Sequence, residues 1–108
     1  MQYMLLLYSP EDAGPQPGSP EFAAEMLVWF SYTEYMRATG AFVAGEPLQP
    51  STTATTVRRR NDETLTTDGP FAETKEVLGG FYIVDVDDLD APIEWAARIP
   101  SAPYGSVE

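Results

Sequence analysis

Apolar positions along the chain alternate between strand-like runs and one long helical stripe. Residues 2–8 are apolar at almost every position, as is typical of a central strand covered on at least one face. Residues 9–18 are rich in Pro and Gly and predict a loop. Residues 20–39 predict a helix that starts with a Ser-Pro-Glu cap sequence and ends at Gly40. Its predicted buried stripe consists of Phe22, Met26, Trp29, Phe30, Thr33 and Met36.

The rest of the chain predicts four further strand segments, a second helix and a short last strand. The predicted ranges are strands over 41–46, 52–60, 63–67 and 78–86, a helix over 89–99 and a last strand from 106. Asn61-Asp62 is a turn signal, and Gly79-Gly80 indicates a bulge or a close backbone approach. This order predicts a ferredoxin-like, split βαβ α+β sandwich with an antiparallel sheet and two helices on one face. Because the sequence offers no other cover for the second face, we expect a homodimer formed through it.

Composition limits the chemistry that the chain can perform. The 108 residues favour a single domain over residues 1–108. The absence of Cys and His excludes thiolate nucleophiles, imidazole bases and the usual zinc ligands, so we expect no cofactor and no metal. A net charge of −11 argues against nucleic-acid and membrane-surface partners. No signal peptide or membrane-spanning run is recognisable, so a cytoplasmic location is the expectation.

One segment carries a specific family pattern. Asp68-Gly69-Pro70-Phe71, followed by Leu78-Gly79-Gly80-Phe81-Tyr82, closely resembles the DGPF-containing, YCII-related proteins. Other stretches that share the resemblance are 1–8, 44–46, 54–58, 95–100 and 105–108. The resemblance implies a dimeric α/β-barrel architecture of ferredoxin-like subunits and a functional association with extracytoplasmic-function sigma factors. The better-understood YCII-related proteins use a His–Asp pair, and that chemistry does not carry over to a chain without His.

Three residues are candidates for acid–base chemistry. Asp68 ends a predicted strand, where its carboxylate either acts as a base or ligand anchor or accepts N–H groups of the Gly69-Pro70 turn. Glu46 ends another strand, and a close pair with Asp68 would raise the pKa of one carboxyl. Tyr82 either donates a hydrogen bond in a pocket or belongs to the core or an interface.

Arg58, Asp68 and Phe71 are the candidate ligand-binding residues. Arg58 heads the only basic run, Arg58-Arg59-Arg60, and is expected either to bind an anion or to pair with nearby carboxylates. The aspartates at 85, 87, 88 and 90 lack the Gly and Glu placement of a calcium loop, so no metal site is predicted.

Two functions follow from these residues. The first is a small-molecule-binding or regulatory interaction module without established catalysis. The alternative is a cofactor-free, isomerase- or lyase-like enzyme that uses Asp68 with Glu46 or Tyr82 in a dimer cleft.

Overall fold

The computed structural model describes residues 1–108 and contains six strands and two helices. The strands are β1 (Gln2–Ser9), β2 (Phe42–Pro47), β3 (Thr55–Arg60), β4 (Glu63–Asp68), β5 (Val77–Asp85) and β6 (Ser106–Val107). The α-helices are α1 (Pro20–Ala38) and α2 (Asp90–Ala97), and a 3₁₀ turn spans Ser51–Thr53. Neither helix is long and apolar enough to cross a membrane.

The strands form two separate antiparallel sheets. The main sheet has the order β2-β5-β1-β6, and β3 pairs only with β4. This arrangement is α+β and compatible with the predicted ferredoxin-like plan, with the β3–β4 hairpin inserted between two sheet strands. Asn61 and Asp62 adopt positive φ in the two-residue hairpin turn, as the turn signal predicted.

Both helices pack on one face of the main sheet. Strand alternation places Leu5 and Leu7 of β1 and Tyr82 and Val84 of β5 on this face. The buried cluster also includes Tyr32 and Met36 of α1, together with Ala41 and Ile99. These contacts fix which side of each strand points into the core.

The opposite face of the main sheet is apolar and carries no helix. Its side chains come from the alternate positions of β1, β5 and β2, and they are Gln2, Met4, Leu6, Tyr8, Ala44, Glu46, Leu78, Phe81, Ile83 and Asp85. The two charged members lie at its margins, Glu46 on the edge strand β2 and Asp85 at the end of β5. We call this surface the uncovered face.

Three local predictions need correction or refinement. Phe30 was predicted in the buried stripe of α1 but is 66% exposed, because Trp29, Tyr32, Thr33 and Met36 define a stripe that leaves position 30 about 100° away. Met26, another stripe member, is half-exposed. The third strand begins at Thr55, because residues 51–53 form a 3₁₀ turn.

The glycine prediction at the head of β5 is confirmed. The β1–β5 register shifts between Leu7 and Tyr8, which leaves Gly79 as the bulged residue. A Cβ at Gly80 would lie 3.0 Å from the Glu46 carbonyl oxygen, which shows that the two backbones approach closely there.

Candidate functional site

An open cleft of about 640 Å³ lies where the β3–β4 hairpin meets one end of the uncovered face. Tyr8 and Leu78, which are cross-strand partners on that face, contribute to its floor. The other lining residues come from residues 48–56, which lead into β3, and from residues 70–77, which lead into β5. They are Leu48, Gln49, Pro50, Ser51, Thr53, Ala54, Thr55, Thr56, Pro70, Phe71, Ala72, Thr74 and Val77. No Asp, Glu, Lys or Arg lines the cleft, so it offers hydroxyl groups, the Gln49 amide and apolar surface.

The Gly69 backbone shapes the wall of the cleft. Gly69 has φ +100°, a conformation that favours glycine, and its N–H donates to the Ala54 carbonyl at 2.7 Å. The Thr56 hydroxyl donates to the Gly69 carbonyl at 2.9 Å. These two bonds tie the end of β4 to the start of β3, and the chain then turns so that Pro70 and Phe71 face the cleft.

Phe71 and Arg58 lie close together at this wall. The Phe71 side chain is 79% exposed, the highest value among the large apolar residues of the chain. The Arg58 guanidinium carbon lies 5.6 Å from the centre of the Phe71 ring, within cation–π range. The expected ion pairs of Arg58, Arg59 and Arg60 are absent, since the only side-chain ion pair between Arg or Lys and a carboxylate joins Arg37 to Glu34. The hairpin keeps these arginines away from the carboxylates of the protein body.

Asp68 is the last residue of β4 and lies opposite Thr55, a cleft-lining residue. One of the two alternatives for Asp68 was that its carboxylate accepts N–H groups of the Gly69-Pro70 turn, but the Gly69 N–H donates to the Ala54 carbonyl oxygen instead. Asp68 itself is exposed and borders the cleft without lining it.

Glu46 and Tyr82 lie on opposite faces of the main sheet. Glu46 pairs with Phe81 on the uncovered face and is exposed. Tyr82 points into the core, where its hydroxyl lies 2.7 Å from the Thr33 hydroxyl and its ring stacks on Trp29. Within one subunit, therefore, the structure does not bring Asp68, Glu46 and Tyr82 together, because the sheet separates the last two.

Most of the residues that line the cleft are not recognisable as site residues from the sequence. The pattern predicts only strand positions for Tyr8 and Leu78, and the β-branched residues Thr53, Thr55 and Thr56 predict only a strand. The run of Thr and Ser over residues 51–56 was the available signal, since hydroxyl side chains at a strand entry provide hydrogen-bonding groups without charge.

The titratable groups with perturbed pKa values lie elsewhere. Burial raises the pKa of Tyr32 well above its usual range, with a further increase from Tyr82 and a decrease from Arg98. Burial and then the hydrogen bond to Glu25 raise the pKa of Tyr104 to about 12. No group of three or more acidic side chains converges in a way that would hold a metal ion.

Comparison with known proteins places the chain in a family. The family model described as YCII-related domain matches residues 1–108. An uncharacterized protein of Rhizobium meliloti (strain 1021) is 47% identical over 55 residues, a match that covers 51% of this chain and 44% of that protein. The chain thus spans less than half the length of this curated relative. Because the family model covers every residue described above, this chain belongs to the family of proteins with a YCII-related domain.

Proposed function

We propose that this protein is a small-molecule-binding, regulatory module of the YCII-related type that works as a homodimer. The observation that carries the proposal is the uncharged cleft of about 640 Å³ at the end of the uncovered face. Its volume is within the range of drug-sized ligand sites, and apolar walls with a few polar groups are typical of such sites. Hydroxyl groups of Tyr8, Thr55 and Thr56 would orient the ligand.

The uncovered face supports the proposed homodimer. Met4 is 52% exposed on this face, and Leu6, Phe81 and Ile83 beside it are only half-buried. A contiguous apolar sheet surface of this kind is a typical interaction site, and a second copy would cover it with an identical apolar surface. Two ferredoxin-like subunits joined in this way would form the dimeric α/β-barrel that the family resemblance implies.

Arg58, Asp68 and Phe71 are proposed to act at the rim of the cleft. Phe71 lines the cleft and would stack on the apolar part of a ligand. Arg58 holds the ring from one side, and Asp68 lies across the ladder from Thr55. The Gly69 turn that positions Phe71 also supports assignment to the DGPF subtype, and with that subtype comes the proposed association with a sigma factor.

The enzymatic alternative finds less support in the cleft. Acid–base chemistry needs a titratable group within hydrogen-bond reach of the substrate, and no carboxylate lines this cleft. The Tyr82 hydroxyl lies on the core face of the sheet, where it is hydrogen-bonded to the Thr33 hydroxyl. We therefore favour binding over catalysis.

Nile red, an uncharged dye that fluoresces in apolar sites, tests the proposal. We expect saturable binding to the wild-type protein and an affinity about tenfold weaker for Phe71→Ala, since loss of an aromatic contact of ~1.4 kcal/mol corresponds to that factor. The matched control is Phe30→Ala, which removes another exposed Phe ring, from the outer surface of α1. Equal affinities of the two variants would contradict a site at Phe71.

A further inference from the structure

The β3–β4 hairpin has almost no contact with the rest of its own subunit. Every residue of β4 is exposed, and the two strands form a sheet of their own. Val57 and Leu65 are 62% and 46% exposed on it. A two-stranded hairpin is at best marginally stable in water without a surface to pack on. The hairpin therefore lacks the packing partner that its apolar residues require.

Charge is distributed unevenly between the hairpin and the body. Half of the six cations of the chain are Arg58, Arg59 and Arg60, which end β3. Three of the 17 carboxylates lie on the hairpin, which leaves 14 carboxylates and three cations for the rest of the chain. The hairpin is thus neutral overall with a basic strand, and the body carries the whole net charge of −11.

The subunit is extended, as is expected if the β3–β4 hairpin projects from it. Its radius of gyration is 15.9 Å, whereas a compact chain of this length has about 13 Å. The extents of 48 × 38 × 18 Å describe a thin, elongated body. The base of the hairpin flanks the uncovered face at the cleft, so a second copy on that face would lie beside the hairpin.

We propose that the β3–β4 hairpin is an intersubunit arm that docks on the acidic surface of a second copy of this chain. Val57 shares one face of the hairpin with Arg59, and Leu65 shares the other face with Arg60. On the face that docks, the apolar residue packs against the partner and the arginine beside it contacts a carboxylate of the partner. The inference rests on the homodimer proposed above and adds a contact that the uncovered face does not include. In a two-fold dimer the same contact forms twice, so each basic strand meets one acidic body.

A second copy fits the arm better than another polyanion does. Only three arginines are available, and the body behind them would repel a nucleic acid by its net charge of −11. A copy of the chain supplies the complementary acidic surface and approaches by its apolar face, so that attraction between the arm and the body would add to apolar burial.

Hydrogen exchange at different protein concentrations tests the arm directly. Backbone amides of β3 and β4 are expected to exchange slowly when the protein is dimeric and at least tenfold faster after dilution below the dimer dissociation constant. Amides of α1, which packs on the opposite face of the main sheet, serve as the internal control. Equal exchange of the hairpin in dimer and monomer would overturn the proposal, whatever surface holds the dimer together.

Variants that replace arginine with uncharged glutamine give a second test, in which sedimentation analysis measures the dimer dissociation constant. We expect Arg59→Gln/Arg60→Gln to weaken dimerisation about tenfold and to reduce its dependence on salt, since the lost contacts are electrostatic. The control, Arg37→Gln/Arg98→Gln, also removes two positive charges, but from the body, and should leave the dimer dissociation constant unchanged. Equal effects of the two pairs would overturn the arm but retain the dimer, and a wild-type protein that stays monomeric would overturn both.

Discussion

Individual residues show how strand alternation decides the environment of a side chain. Tyr82 and Phe81 are neighbours in β5, yet Tyr82 lies in the core and Phe81 on the uncovered face. The Tyr82 ring meets the Tyr32 ring edge-on, with 5.5 Å between the ring centroids, and stacks on the Trp29 ring, with 6.5 Å between the centroids. Its hydroxyl is hydrogen-bonded to the Thr33 hydroxyl, which in turn donates a hydrogen bond to the Trp29 carbonyl oxygen. This aromatic cluster indicates that Tyr82 stabilises the packing of α1 on the sheet.

Tyr82→Phe should lower the free energy of unfolding by about 1 kcal/mol, the typical net contribution of one partly buried hydrogen bond. Urea unfolding followed by circular dichroism measures this change, with Tyr35→Phe on the exposed side of α1 as the control. Binding of Nile red should be unaffected. A variant with unchanged stability and impaired binding would instead assign Tyr82 to the ligand site.

Tyr104 should make the protein less stable at alkaline pH. Burial and Glu25 raise its pKa to about 12 from the ordinary value of 10, so between these values the folded chain binds more protons than the unfolded chain. The stabilisation that the protonated Tyr104 side chain gives the folded state is complete below pH 10 and is lost as the pH rises through about 12. Unfolding measured across this window should show a smaller loss of stability for Tyr104→Phe than for the wild type. Identical pH profiles would contradict the raised pKa.

At the level of elements, short strands depend on the backbones beside them. β6 contains only Ser106 and Val107, and it pairs with Leu7 and Tyr8 at the edge of the main sheet. Its entry residue, Gly105, lies against the Tyr8 carbonyl oxygen so closely that an added Cβ would overlap it. The close approach that lets β6 join the sheet therefore requires the absence of a side chain at position 105.

Gly105→Ala should destabilise the fold by about 1–3 kcal/mol, the usual cost of overpacking, because the obstructing atom is backbone and cannot rotate away. Gly79→Ala is the matched control, since its nearest contact would be an ordinary 4.0 Å from the Leu7 carbonyl oxygen. Thermal unfolding compares the two. A Gly105→Ala protein as stable as the control would mean that β6 can move away from β1 without cost.

For the whole molecule, the main feature is how little of it is buried. Only 11 of 108 residues are buried, and the body is 18 Å thick in its smallest dimension. One sheet with helices on one side leaves its other side to solvent, although that side is apolar. A partner on this face would complete the second half of the core.

Ile83→Asp should convert the proposed dimer to a monomer, because it places an unpaired charge at the centre of the uncovered face. Light scattering measures the mass, and circular dichroism checks that the secondary structure is retained. Leu27→Asp is the control, since Leu27 is 70% exposed on α1 and lies away from the sheet. If Leu27→Asp dissociates the dimer and Ile83→Asp does not, the helix surface is the interface.

The fold was more predictable than the site. The β1 and β5 segments, the cap of α1 and the hairpin turn follow from local patterns, because periodicity, capping and positive φ depend on neighbouring residues. The Ser19 hydroxyl accepts the Phe22 N–H at 3.1 Å, as its position before Pro20 predicted. The cleft was not predictable, since it joins Tyr8, residues 51–56 and the segment around Phe71, which are far apart in the chain.

The sequence by itself determined the strand and helix order, the family resemblance and the absence of Cys and His chemistry, because each is a property of residue type or short-range spacing. Only the tertiary structure decided that Glu46 and Tyr82 lie on opposite sides of the sheet. It also separated the β3 arginines from the acidic body and placed uncharged hydroxyl groups around the cleft. The physical reason is that strand pairing and register between distant segments set which face each side chain occupies.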